Sequence, residues 1–189
     1  MTINYKLSSI NSIKGFTLVE LLVATFIMTV IAGVSIANFR ATEKQKRVVI
    51  ASDTVINAIR NAQNFTLAGK NTKNANTACR VPQYYYITFA YASVATLYAF
   101  NNCSTAEQIE TYTLPANSRI KANGLKLDAA TANINLILVF YPPFAAIKAA
   151  VDNGGTYNPF TTATITVESI DGSASKTITV DGVAGRIGE

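Results

Sequence analysis

From Phe16 to Ala37 the chain runs 22 residues with one ionised side chain, Glu20. As a helix this run is about 33 Å long, enough to span a bilayer. Helix formers dominate it, and no proline occurs before Pro82. From Asn38 to Ala68 polar residues return and the apolar ones repeat at helical spacing. Val48, Val55 and Ala62 recur every seven residues, Ala51, Ala58 and Phe65 do so three positions later, and Ile59 widens the stripe. Asp53, Asn57, Arg60, Asn61 and Asn64 fall opposite, and Gly69 suits a helix C-cap. These halves predict one helix of roughly 50 residues or two joined ones. The first half is apolar all round, as for lipid or a bundle of identical helices; the second carries one stripe, as for packing on a sheet.

After Gly69 the period changes. Residues 69–80 form a polar loop. Tyr85, Ile87, Phe89 and Tyr91 then alternate at period two, and Val94, Thr96, Tyr98 and Phe100 alternate similarly, so two strands with a turn near Tyr91–Ser93 are expected. Cys79 and Cys103 are equidistant from Tyr91. A hairpin centred there sets them opposite one another at its open end, where a disulfide would contribute roughly 3 kcal/mol. Two separate thiols are the alternative. Further strands are expected at Gln108–Leu114, Leu125–Leu127 and Ile134–Tyr141, the last ended by Pro142-Pro143. Phe144–Val151 reads as a helical turn. Thr162–Ile170 and Ser175–Val180 flank Asp171-Gly172, a hairpin signal. One long N-terminal helix followed by crowded strands is an α+β chain, the strands forming a C-terminal antiparallel β domain over residues 70–189.

Composition narrows the chemistry. The chain has no histidine, which removes histidine-dependent triads and His-based metal sites. Two cysteines are too few for a structural zinc cluster. The acidic residues Glu107, Glu110, Asp128, Asp152, Glu168, Asp171 and Asp181 are scattered, and Asp152, Asp171 and Asp181 sit where Asx-turn bonding accounts for them. A calcium ion in a glycine-rich loop stays open, although no EF-hand spacing exists. No catalytic constellation, metal site or cofactor motif emerges, and the chain reads as a non-enzyme without a cofactor. Net charge is +5, mildly basic and not in itself a nucleic-acid signal.

Glu20 is the anomaly of the apolar run: a carboxylate at mid-helix in hydrocarbon costs roughly 2.5–3.5 kcal/mol, less near an end, and it needs a partner. The sequence around it, Lys14-Gly15-Phe16-Thr17-Leu18-Val19-Glu20-Leu21-Leu22-Val23, resembles the cleavage and methylation motif of type IV pilin-like proteins. The resemblance covers about residues 14–40. It implies cleavage after Gly15 by a prepilin peptidase, N-methylation of the new terminus at Phe16, and pairing of Glu20 with the terminal amine of a neighbouring filament subunit. Residues 1–15 are then the leader, 16–37 the transmembrane and filament-core helix, and 38–69 its amphipathic continuation. Ala163–Val167, Lys176–Val180 and the following Gly185-Arg186 are similar to the ending of the GspH/FimT group of minor pseudopilins and minor pilins. Ala37 stands where many pilus-forming pilins carry a helix-kinking proline. The resemblance therefore implies a pilin-like fold in a filament subunit of a type IV pilus or of type II secretion. It further implies other pilins, the peptidase and an inner-membrane assembly platform as partners. The location it implies is a single-pass bacterial inner-membrane state with the C-terminal domain in the periplasm or outside, then the filament.

Other readings remain open at this point. An ordinary secretory signal would be cut after Ala37, and a plain anchor would leave Gly15-Phe16 and Glu20 without a role. Lys6 and Lys14 precede the run while Arg40, Lys44, Lys46 and Arg47 follow it; counting these alone puts the C-terminal side in the cytoplasm, opposite to the resemblance. The basic group serves either lipid headgroups or acidic groups of neighbouring subunits. Glu43 and Arg47 are spaced for a helical ion pair. Within the class a major pilin is the alternative. Outside it stands a DNA-binding minor pilin of an uptake pilus, with Arg119, Lys121 and Arg186 as contacts and Tyr84, Tyr85 and Tyr86 available for base stacking.

Overall fold

The computed structural model describes residues 15–72, 79–91, 94–128, 130–131, 135–143, 146–151 and 156–188, with the backbone alone at 36–38. Among these residues one α-helix, α1 (Leu18–Leu67), is followed by ten strands. The chain divides into two compact units at Ala41/Thr42. In the first, α1 exposes apolar side chains all round, including Leu18, Leu22, Phe26, Met28 and Ile31. Among the described residues it is the one helix long and apolar enough to cross a membrane. Of the two sequence readings, the uninterrupted helix is the one observed.

In the second unit, α1 ends in a Schellman arrangement. Gly69 is left-handed (φ 57°), Lys70 N–H donates to Phe65 C=O (3.2 Å) and Gly69 N–H to Thr66 C=O (3.3 Å). The Lys70 ammonium sits 4.0 Å from the Phe65 ring centroid, where such motifs usually place an apolar contact. Ala51, Val55, Ala58, Ile59 and Ala62 are fully buried, as the stripe predicts. Asn61, expected on the polar face, is half-buried and donates to the Tyr112 hydroxyl (3.0 Å).

The strands form two antiparallel five-stranded sheets. One has the order β3-β2-β1-β6-β7, with β1 (Pro82–Ala90), β2 (Val94–Asn101), β3 (Ala106–Thr113), β6 (Asn135–Tyr141) and β7 (Ala146–Val151). The other has the order β10-β9-β8-β4-β5, with β4 (Ser118–Leu127), β5 (Ala130–Thr131), β8 (Thr162–Ser169), β9 (Ser175–Asp181) and β10 (Ile187–Gly188). Inner-face residues of both sheets join the helix stripe in one core, among them Tyr85, Phe89, Leu97, Leu138 and Phe140 from the first sheet and Ile120, Ile165, Val167 and Ile178 from the second.

Two features depart from the sequence reading. Ala146–Val151 is a strand, not part of a helical turn: β6 offers an antiparallel partner, and Leu136↔Val151 through Tyr141↔Ala146 pair along its length. Alanine's helical preference, a few tenths of a kcal/mol per residue over its neighbours, yields to that ladder and to burial of Ile147 and Ala149. Strand β4 begins at Ser118, well before Leu125, because a bulge between Ile120 and Leu125 interrupts the alternation. Asn123 is left-handed there (φ 58°), and a Cβ on Gly124 would lie 2.9 Å from Thr166 Cβ. The β1–β2 register, which the alternation left open, pairs Tyr85 with Ala99 and Ile87 with Leu97. The inner face of β2 is thus Ala95, Leu97 and Ala99, and the larger Tyr98 and Phe100 point outward. Tyr91 is likewise exposed.

Candidate processing and assembly site

Gly15, Phe16 and Thr17 precede the helix in non-helical conformation and are exposed. Thr17 is the N-cap: its hydroxyl accepts the Glu20 N–H (3.3 Å) and its carbonyl accepts the Leu21 N–H (3.1 Å). Thr17-x-x-Glu20 is the spacing of a capping box, a signal the sequence reading overlooked. A negative charge at Glu20 in the first helical turn also suits the positive end of the helix dipole.

Polar groups inside an apolar helix must find partners. Between Leu18 and Ser35 there are four such side chains: Glu20, Thr25, Thr29 and Ser35. The three hydroxyls donate to helix carbonyls, Thr25 to Leu22 (3.0 Å), Thr29 to Thr25 (2.7 Å) and Ser35 to Ile31 (2.9 Å). No side chain among the described residues pairs with the Glu20 carboxylate. It is the one side chain of this stretch whose polar end the helix does not satisfy.

Cys79 and Cys103 form the disulfide, with Cα atoms 5.4 Å apart. It joins the loop after the helix to the β2–β3 turn. Asn101 Oδ1 holds that turn by accepting Cys103 N–H (3.0 Å), Thr105 N–H (3.1 Å) and Thr105 Oγ1–H (2.8 Å). The Tyr85 hydroxyl donates to Lys70 C=O, and Lys70 N–H closes the helix end, so the same loop is tied to β1.

The cations proposed as external contacts are largely engaged within the chain. Lys44 pairs with Asp171 across 127 residues of sequence, and Arg47 bonds Glu43 (2.6 Å) and Ala116 C=O (3.1 Å). Asp171 also accepts Ser169 Oγ–H (2.7 Å) and Ser173 Oγ–H (2.8 Å); Lys44 and then these bonds hold its carboxyl well below the usual range, and Arg47 lowers that of Glu43. Arg119 and Lys121 both face Glu168, at 2.9 and 3.9 Å, and Glu168 is only 6% exposed. Arg119 also lies 5.8 Å from the Tyr91 ring. Arg186 is highly exposed beside Asp181 after β9, and β9 and β4 flank opposite sides of β8. Three proposed DNA contacts therefore make no single cationic patch. Asp171 and Asp181 serve turns as expected, Asp181 Oδ1 accepting Val183 N–H (2.9 Å) and Ala184 N–H (2.8 Å). Asp152 and the Gly154-Gly155 loop lie outside the described residues, among which no acidic or cysteine cluster suits a metal ion.

The prokaryotic N-terminal methylation motif family matches this chain over residues 10–36, which takes in Gly15, Phe16 and Glu20 together. No curated protein matches the chain, and no solved structure does. The motif supports a type IV pilin-like filament subunit, a structural role, with other pilins and a prepilin peptidase as its general partners. With the apolar half of α1 it fits a membrane-anchored, single-pass protein.

Proposed function

We propose that this chain is a minor pilin or type II secretion pseudopilin of the GspH/FimT kind. In this reading residues 1–15 are removed by cleavage after Gly15, and the freed amine of Phe16 is methylated. Residues 16–37 hold the protein in the bacterial inner membrane and then pack into the filament core. Residues 38–69 continue the helix, and residues 70–189, the β domain, face the periplasm and later the filament surface. An inner-membrane assembly platform drives the transfer. The observation that carries the reading is Glu20, the one polar side chain of the apolar stretch left without a partner, standing inside a methylation motif. A neighbour's Phe16 amine is the complementary charge, and pairing removes the penalty of a bare carboxylate in an apolar core. The pair sets the axial register of the subunits.

The alternative of a DNA-binding subunit draws little support from Arg119 and Lys121, whose charges converge on Glu168. Phosphate contacts need a clustered basic face.

The test is intact mass and N-terminal peptides from membranes of cells that contain the peptidase. A chain beginning at methylated Phe16 is expected. A start at Asn38 would identify an ordinary secreted domain and overturn the proposal, and so would an uncut Met1 in the presence of an active peptidase.

A further inference from the structure

The outer face of the first sheet is unlike an ordinary solvated surface. Tyr84 stacks on Phe100 (ring centroids 4.9 Å, interplanar 8°) and Tyr86 on Tyr98 (5.0 Å, 12°), each a cross-strand pair of β1 and β2. Tyr141 from β6 and Tyr157 close on Tyr84 at 5.4 and 5.9 Å. All six rings are half-buried. Tyr84 and Tyr86 bring their phenols near that of Tyr157. The register sets the small Ala106 opposite Phe100 on the side away from Tyr84.

The charges of this face are equally distinctive. Among the described residues, no outward position of its five strands carries a carboxylate, and one carries a cation, Lys148, 5.1 Å from the Tyr141 ring. Beyond the rings lie Thr88, Thr96 and Thr111, neighbours across three strands. Solvated surfaces normally interleave charges of both signs. One lysine is far too little for a phosphate backbone, which excludes nucleic acid as the natural occupant. Membrane-interface tyrosines are accompanied by basic anchors and exposed large aliphatic residues; here the outward aliphatics of β6, Ile137 and Val139, are buried, Val94 is half-buried, and threonines accompany the rings.

We propose that this aromatic face binds a neutral glycan. The ring faces and edges meet the apolar C–H faces of pyranose rings, and the phenol and threonine hydroxyls exchange hydrogen bonds with sugar hydroxyls. A neutral, hydroxyl-rich ligand complements a neutral, hydroxyl-rich surface. The sheet face is shallow, so each sugar contributes little and binding grows with the number of linked sugars that lie across the strands.

The experiment uses the full-length chain in lauryldimethylamine oxide, a detergent without a sugar headgroup. Cellohexaose and chitohexaose are titrated by calorimetry and tyrosine fluorescence. Saturable binding of at least one hexaose is expected, with Kd on the order of 1 mM. Tyr98→Thr and Phe100→Thr, which place a β-branched residue on the outer face as Thr96 does, should each weaken it about tenfold. Their near-ultraviolet circular dichroism, compared with the native chain, shows that the fold is kept. No binding of either hexaose up to about 10 mM overturns the proposal whatever the variants do. Undiminished binding in both folded variants overturns it too, as does Tyr98-dependent binding of oligo-dT or of anionic vesicles in place of the sugars.

Discussion

Replacing Glu20 by alanine separates its place at the helix N-terminus from the subunit pairing proposed for it. As the third residue of a helix capped by Thr17, Glu20 contributes a few tenths of a kcal/mol to the N-terminus. As an unpaired carboxylate it carries a penalty of up to roughly 2.5–3.5 kcal/mol in hydrocarbon, reduced near the helix end. Glu20→Ala therefore inserts at least as well as the native chain. In a filament the same carboxylate, paired with a neighbour's amine, gains about 1.5–3 kcal/mol as a charge-assisted hydrogen bond. Losing that pair should lower incorporation about 10- to 100-fold. The assay co-expresses native and variant chains and compares their ratio in sheared filaments with that in the membrane fraction. Thr17→Val is the control: it removes the cap, at a cost of about 1 kcal/mol to the helix end, and leaves the carboxylate in place. Equal ratios for Glu20→Ala in both fractions would refute the pairing. A loss with Thr17→Val as large as that with Glu20→Ala would assign Glu20 to capping alone.

Three further outcomes follow from the β domain. Replacing Cys79 and Cys103 together by alanine opens a loop of sequence separation 24 and should cost about 3 kcal/mol in denaturant unfolding; an unchanged midpoint would contradict that. Tyr84 and Tyr86 have their phenols pushed up to about 12, chiefly by burial and then by neighbouring phenols. The folded state thus holds those protons more tightly than the unfolded one, and the resulting stability is complete below the ordinary tyrosine value of 10.0 and is lost as pH rises towards about 12. A phenolate absorbance titration should show a late-ionising class among the nine tyrosines; one step near 10.0 with the fold intact would exclude it. Gly182→Ala would drive a Cβ to 2.2 Å from Phe160 C=O and 2.8 Å from its ring, and should lower the melting temperature by an amount matching about 1–3 kcal/mol; an unaltered melt would show that the β9–β10 loop yields freely.

Elements whose signal is local were legible from sequence. The 3.6-residue stripe of α1, its Gly69 stop and the Asp171-Gly172 turn each depend on a few adjacent residues, and each is found where expected. Symmetry about Tyr91 was enough to pair Cys79 with Cys103. What failed was non-local. Strand β7 exists because β6 lies beside it, and an alanine-rich stretch holds no trace of that partner. Strand β4 hides behind a bulge that shifts its alternation midway. Alternation located β2 without saying which parity points inward; the register with β1 decides that. Where both parities carry substantial side chains, size alone does not decide.

The same non-locality reassigns the charges. Lys44 and Arg47 stand in a basic group that, read along the chain, invites lipid or a neighbouring subunit. The fold instead brings Asp171 and the Ala116 carbonyl to them. Arg119 and Lys121 read as phosphate contacts until the β4–β8 register sets Glu168 against Arg119. Even Asn101, whose buried Nδ2 lacks a partner among the described residues, spends its oxygen on three donors that close the β2–β3 turn. Two features resist this internal settlement. Glu20 lies in a stretch with no base, so no refolding of residues 18–35 could neutralise it. The outer tyrosines lie on strands whose inner faces already fill the core, so their exposed edges face outward by geometry. The two proposals give each a complement from another molecule, a charged amine in one case and a neutral glycan in the other. Those requirements are chemically distinct, so failure of the glycan titration would leave the filament reading of Glu20 untouched, and the converse holds equally.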